Sequence, residues 1–166
     1  FGAFAYIGAY LHERFGLSYS RVGVMLIGFG AGGMAFALFA GRLVAVLGER
    51  GLASLGGALI LAGFLAIALA PAAGFVTLAL LLLGLGFYML HNTLQVNATQ
   101  MAPDARGLAV AAFASGFFLG QAAGAWAGGR LVDAIGYPPV FVTAGLGLAA
   151  LAAYFVHRRE RREGAA

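Results

Sequence analysis

The residues best suited to chemistry lie in one polar run of an otherwise apolar chain. The run extends from His91 to Gln100 (HNTLQVNATQ) and leads into the corner Pro103-Asp-Ala-Arg-Gly107. His91 is the only histidine, acid or arginine well inside an apolar segment. Because the ordinary pKa of an imidazole is ~6.5, such a side chain can exchange a proton near neutral pH. The run predicts either proton or substrate handling by His91, or a neutral His91 that is hydrogen-bonded between helices.

The polar side chains around this run share one side of a helix. At 100° per residue they fall within an arc of about 100°. The arc comprises Thr77, Tyr88, His91, Asn92, Gln95 and Thr99. Polar groups in hydrocarbon need partners, so the arc should face the bundle interior or a water-filled substrate cavity. Asn92 and Gln95 either bind substrate there or tie helices together. Tyr6 and Tyr10 either add aromatic contacts to the cavity or belong to the interfacial aromatic belt.

Other kinds of chemistry lack the residues that they need. The chain has no cysteine and therefore no thiol chemistry. It has no phosphate-binding loop with a glycine-lysine signature, so ATP is not the expected energy source. No spacing of histidines with acids indicates a metal site, and no Ser/His/Asp set or carboxylate pair indicates hydrolysis. We expect no metal, no cofactor and no enzymatic activity.

The composition indicates a polytopic membrane protein. Of the 166 residues, 62% are hydrophobic and 10% are charged, whereas a soluble domain has about 25% charged residues. The net charge of +4 comes from arginines at helix ends and in the tail, so no nucleic-acid partner is expected. An all-α bundle of six membrane helices is predicted over 1–156, with a cytoplasmic basic tail over 157–166. The helices are expected at about 1–11, 21–40, 52–70, 74–101, 108–128 and 140–156.

The first segment is too short to span ~30 Å of hydrocarbon, so we expect a truncated first helix in a fragment with more protein upstream. Arginines in short loops favour a cytoplasmic C-terminus. In that orientation the inner side holds Arg42, Arg50, Arg106 and the four tail arginines, and the outer side holds Arg14, Arg21 and Arg130. Small residues four apart let helix backbones approach closely. The glycines predicted to pack in this way are Gly28, Gly32, Gly116, Gly120, Gly124 and Gly128.

A short repeat relates the two halves of the chain. Gly41-Arg-Leu-Val recurs 88 positions later as Gly129-Arg-Leu-Val, and the copies are followed by Gly48 and Gly136. This offset maps the first three segments onto the last three. Because three is odd, the two copies should have opposite orientations in the membrane. Inverted repeats of this kind build transporters whose substrate site lies between the repeats.

The region around the first copy resembles the signature Gly-x-Leu-Ala-Asp-Arg-x-Gly-Arg-Arg of the major facilitator superfamily, in its second six-helix half. The matching residues are Gly41, Leu43, Gly48 and Arg50, and the departures are Ala45, Val46 and Glu49. The corner from Pro103 to Gly107 looks like the Pro-x-x-Arg-Gly corner before the fifth helix of each half. The run from Leu90 to Gln95, with Gly120-Gln121, resembles bacterial drug:proton antiporters and sugar-efflux permeases.

The resemblance implies one half of a twelve-helix transporter of the bacterial inner membrane. It implies alternating access and proton-coupled efflux of small drug- or sugar-like molecules. The expected partners are the lipid bilayer, a missing N-terminal half, a small-molecule substrate and protons. The conformational-loop motifs that it assigns are Gly41, Arg42, Gly48, Arg50, Pro103, Asp104, Arg106 and Gly107. A receptor or scaffold that has this fold without transport is the alternative, and an intramembrane enzyme would lack a nucleophile near His91.

Overall fold

Long apolar helices make up almost the whole chain. The computed structural model describes residues 1–163, with the side chains of residues 1–161. The α-helices are α1 (Ile7–Phe15), α2 (Tyr19–Ala68), α3 (Ala73–Gln100), α4 (Arg106–Ile135) and α5 (Tyr137–Glu163), and 3₁₀ turns at Phe4–Tyr6 and Pro103–Ala105 precede α1 and α4. The described residues contain no strand, and four of the helices are long and apolar enough to cross a membrane. The prediction of an all-α membrane protein is confirmed.

The longest helix, α2, is interrupted at Gly48. Its 50 residues would extend ~75 Å if straight, more than twice the ~30 Å of hydrocarbon in a bilayer. Gly48 has φ 59° and ψ −178°, a backbone conformation that essentially only glycine adopts. Gly48 therefore divides α2 into a first limb (residues 19–47) and a second limb (residues 49–68).

The two limbs of α2 pack along α3 in opposite directions. From Gly28 to Gly32 in the first limb, the opposing residue of α3 advances from Thr77 to Leu81. From Gly56 to Gly63 in the second limb, the opposing position recedes along α3 by about two turns. The chain therefore reverses at Gly48, and α2 is a helical hairpin.

The loops predicted at 41–51 and 129–139 are reduced to single glycines. Helix α2 continues to residue 47 and resumes at residue 49, and α4 continues to Ile135. Gly136 follows α4 with φ 86° and ψ −176°, close to the conformation of Gly48. A glycine in this conformation redirects the chain without further residues, so the helices extend up to it. The predicted helix ends at residues 40 and 128 were therefore too early.

The predicted tail 157–166 is helical as far as it is described. Helix α5 continues through residue 156 as far as Glu163, the last residue that the structure describes. Arginine is a good helix former, and cations near a helix C-terminus interact favourably with its dipole, so the basic stretch extends the helix. Residues 164–166 of the predicted tail lie outside the described residues.

The apolar core lies between α1, α3, α5 and the second limb of α2. Its largest fully buried side chains are Tyr10, Phe141, Ile7, Leu11, Ile60, Ile67, Leu80, Met89 and Val76. The first limb of α2 instead meets α3 backbone to backbone. A Cβ added to Gly32 would overlap the carbonyl oxygen of Leu81, and one added to Gly84 would overlap that of Phe29. This contact sets the rotation of α3 about its own axis.

Helix α4 packs loosely, and its row of glycines meets neighbours at one end only. Gly128 is its only buried residue and lies against the ring of Tyr6, and Gly124 approaches Gly2. Around Gly116 and Gly120, no described atom lies within 4 Å of an added Cβ. Gly116 lines the cavity beside His91 and Gly120 is exposed, so neither makes a close contact within the described chain, and their packing role stays a prediction.

A polar cluster closes one end of the bundle. Its members, Glu49, Asn97 and Arg159, come from the second limb of α2, from α3 and from α5. Nη1 of Arg159 lies 2.8 Å from Oε2 of Glu49 and donates to Oδ1 of Asn97 over 2.7 Å. Nδ2 of Asn97 donates to the same Glu49 oxygen over 2.6 Å. Because each member contacts both others, the cluster ties the reversal at Gly48 to the ends of α3 and α5.

Gly48→Ala should lower the thermal stability of the protein, although the added methyl group would not clash with any neighbouring residue. No atom lies within 4 Å of an added Cβ, so the cost of about 1–3 kcal/mol comes from the backbone conformation alone. Gly41→Ala is the matched control, because Gly41 is also open but does not have a positive φ. There alanine should leave the stability unchanged or raise it by up to ~1 kcal/mol. Thermal unfolding in detergent measures both variants, and equal stabilities would contradict the assignment.

Glu49→Gln and Arg159→Gln should destabilise the fold in a coupled way. The double variant should lose less stability than the sum of the two single variants, with a coupling energy of about 0.5–3 kcal/mol. Glu49→Gln combined with Arg42→Gln is the control, since Arg42 is exposed and makes no ion pair with the described side chains. The control pair should be additive in thermal unfolding. Strict additivity for Glu49 and Arg159 would show that the cluster does not act as a unit.

Candidate functional site

His91 lies in a ring of phenylalanines that two helices contribute. Phe87, one turn earlier on α3, stacks on the imidazole with ring centroids 5.1 Å apart and an interplanar angle of 16°. Phe117 and Phe113 of α4 approach it with centroid separations of 5.0 and 5.4 Å. Residues four apart share a helix face, so one face of α3 meets one face of α4 at this point. The rings surround the imidazole without offering polar atoms to its nitrogens.

His91 is also the polar element of an apolar cavity. The cavity has a volume of about 360 Å³, which lies in the range of small-molecule sites, about 300–1,000 Å³. Its other walls come from aliphatic side chains of α3, α5 and the second limb of α2, among them Leu90, Leu151 and Ile60. His91 is half-buried, and no hydrogen bond joins it to any described residue. A ligand in this cavity would therefore meet one titratable group between apolar walls.

Three other polar residues of the predicted arc do not line this cavity. The amide of Asn92 donates to the backbone carbonyl one turn earlier over 2.9 Å. The hydroxyl of Thr99 donates to the carbonyl three residues earlier over 2.7 Å. Such local bonds satisfy a polar side chain without a partner helix. Gln95 is half-buried and likewise lies outside the cavity lining.

Tyr88 and Thr77 face the first limb of α2. The ring of Tyr88 covers Gly33, although 36% of the residue is exposed, and Thr77 lies against Gly28. The predicted arc is therefore divided between two neighbours, because His91 faces α4. An arc of about 100° is wide enough to meet two adjacent helices, so sharing one arc does not place residues in one cavity.

Tyr6, in the 3₁₀ turn before α1, and Tyr10, in α1, make structural contacts. Tyr10 is 2% exposed, and its hydroxyl donates to the carbonyl of Ile67 over 3.0 Å. The hydroxyl of Tyr6 donates to the carbonyl of Ala125 in α4. Both hydroxyls find backbone partners, as buried tyrosines usually do. Neither residue lines the His91 cavity, and Tyr10 is buried in the core.

The loop-motif residues surround the end of the bundle that the polar cluster closes. Gly48 forms the reversal there, and Arg50 is half-buried beside it. Pro103 begins the 3₁₀ turn that follows α3. The exposed members are Gly41, Arg42, Gly48, Pro103, Asp104, Arg106 and Gly107. Glu49, which departs from the family signature, is the residue of this region that joins the cluster.

Neither the ring of phenylalanines around His91 nor the polar cluster was predicted from the sequence. The sequence did contain a signal for the ring of phenylalanines. Phe87 and His91 are four residues apart and so share a helix face, and the same is true of Phe113 and Phe117. That these two faces meet depends on how α4 docks. The signal for the cluster was an acid, Glu49, at a position where the family signature has a base.

Comparison with known proteins identifies the family. The chain matches the Major Facilitator Superfamily over residues 1–166. Neither the curated proteins nor the solved structures that were compared include a match. The four long apolar helices fit an integral membrane protein. Because the match extends over the whole chain, the chain belongs to the major facilitator superfamily of membrane transporters.

Proposed function

We propose that the chain serves a secondary active transporter that exchanges small organic molecules for protons by alternating access. The observation that supports this is the imidazole of His91 in an apolar cavity, with no hydrogen bond to a described residue. A proton on His91 would place a charge in the cavity and disfavour an apolar ligand there. Proton and ligand would then compete for one space, which is what antiport needs.

The lining of the cavity favours lipophilic substrates over sugars. Each sugar hydroxyl that leaves water needs a hydrogen-bond partner. His91 is the only lining residue with a polar side chain, so a sugar would leave most hydroxyls unsatisfied. Of the two classes that the family resemblance suggests, the drug-like class fits these walls better.

We infer that the two limbs of α2, together with α3, α4 and α5, make five full crossings, and that these five and α1 form two inverted repeats of three helices. Gly48 and Gly136, which correspond in the repeat, have similar φ and ψ angles at the ends of corresponding helices. The opposite directions of the two α2 limbs along α3 also support it. In transporters of this design, one half rocks against a second half, and the cavity opens to each side in turn.

We infer a cytoplasmic C-terminus in a bacterial inner membrane. The arginines at 42, 50, 106, 158, 159 and 161 belong to the segments around the polar cluster, where α3 and α5 end. Arg14 and Arg21 flank the turn between α1 and α2 at the opposite end, and Arg130 lies near the C-terminal end of α4 on that same side. An excess of arginine on one side is typical of the cytoplasmic side.

Efflux from reconstituted vesicles tests the proposal. With a panel of lipophilic dyes, the transport rate should rise when a proton gradient is imposed and fall to the rate of empty vesicles when a protonophore collapses it. The measurement is dye fluorescence in time, with protein-free vesicles as the control. Gradient-independent rates for every dye would overturn proton coupling, and binding without any flux would identify a receptor or scaffold instead.

His91→Ala should change the pH dependence of transport without lowering the amount of protein in the membrane. Without the imidazole, the rate should no longer differ between mildly acidic and alkaline buffers, because the titrating group in the cavity is gone. His157→Ala is the matched control, since His157 is exposed and accepts a hydrogen bond from Arg161 outside the cavity. Rates over a pH series measure both. An unchanged profile for His91→Ala would assign His91 to structure alone.

A further inference from the structure

A continuous groove runs between α3 and α5 beneath the loosely packed α4. The His91 cavity adjoins a second cavity of about 500 Å³, and Leu94, Phe113 and Leu151 line both. The second cavity extends toward the end of the bundle where α3 and α5 terminate. We name the two cavities together the α3–α5 groove. Because α4 has one buried residue, it leaves this groove open along much of its length.

The groove changes from apolar to cationic at its end. Arg158 and Arg159 line the second cavity at the C-terminal end of α5. The charge of Arg159 is already matched, since it pairs with Glu49. The guanidinium of Arg158 lies 5.8 Å from the ring centroid of Tyr154, and no carboxylate among the side chains of residues 1–161 lies within ion-pair distance of it. The apolar part of the groove therefore ends at the exposed cation of Arg158, which has no counter-charge among the side chains of residues 1–161.

We propose that the α3–α5 groove binds an anionic phospholipid, with an acyl chain along Phe113 and Leu151 and the headgroup at Arg158. A basic residue near a membrane surface attracts anionic lipids, and basic pockets between membrane helices hold their headgroups. The acyl chain gains no hydrophobic energy by leaving other lipid chains, so charge determines which lipid is selected. A free phosphate would bind at Arg158 but would not occupy the apolar part of the groove. Phe113 and Leu151 also line the His91 cavity, so the acyl chain would lie beside the proposed substrate site. Selection of the lipid by Arg158 does not require proton coupling.

Fluorescence quenching in vesicles tests the site. Trp126, the only tryptophan, is replaced by phenylalanine, and Leu151→Trp provides a reporter inside the groove. Brominated-chain phosphatidylglycerol should quench the reporter at about fivefold lower mole fraction than brominated-chain phosphatidylcholine. Arg158→Gln should abolish this preference. Arg42→Gln, which removes an exposed arginine outside the groove, should keep it. Equal quenching by the two lipids, or a preference that survives Arg158→Gln, would overturn the proposal.

Two further measurements separate lipid binding from misfolding and from simple anion binding. Arg158→Lys keeps the charge and should keep the preference, which a misfolded variant would not do. Tyr154→Trp is a second reporter at the mouth of the groove and should show the same preference if Leu151→Trp fails to fold. Millimolar inorganic phosphate should not relieve the quenching. Relief by phosphate would assign Arg158 to a free anion and overturn the lipid proposal.

Discussion

The close backbone contact between the first limb of α2 and α3 is the constraint on which the candidate site depends. Neither Gly32 nor Gly84 leaves room for a Cβ, so the two helices meet in one register. Lipid tails are as apolar as the helices, so close packing rather than hydrophobic burial holds membrane helices together. This register turns Tyr88 toward α2. It therefore turns His91, three residues later and about 60° around the helix, toward α4.

Helix α4 packs differently, because its backbone approaches a neighbour closely at one end, whereas farther along it meets α3 through the rings of Phe113 and Phe117. Gly128 lies against the ring of Tyr6 in the 3₁₀ turn before α1, whereas a Cβ added at Gly116 or Gly120 would meet no described neighbour within 4 Å. Elements with few buried contacts are the ones that move most easily. The loose packing of α4 leaves both the His91 cavity and the remainder of the α3–α5 groove, so one packing feature accounts for two candidate binding regions.

Four polar side chains of α3 fall into three physical classes. Asn92 and Thr99 bond to their own helix and need no partner element. Asn97 bonds across helices and joins a charged cluster where the chain reverses. His91 alone combines a titratable ring with the wall of an apolar cavity and has no hydrogen bond to a described residue. Among the described side chains, no buried nitrogen or oxygen lacks a partner, which is what a low-dielectric surrounding demands.

The sequence by itself determined the all-α architecture with long apolar helices, because apolar length and helical periodicity are local properties. The repeat in the sequence also singled out Gly48 and Gly136. It did not predict that each glycine would replace a whole loop, because this depends on a backbone φ angle that no side-chain pattern reports. Only the tertiary structure decided that Glu49, Asn97 and Arg159 meet, because these residues are far apart in sequence. It also decided which part of a wide polar arc reaches a cavity, since the docking of neighbouring helices divides that arc.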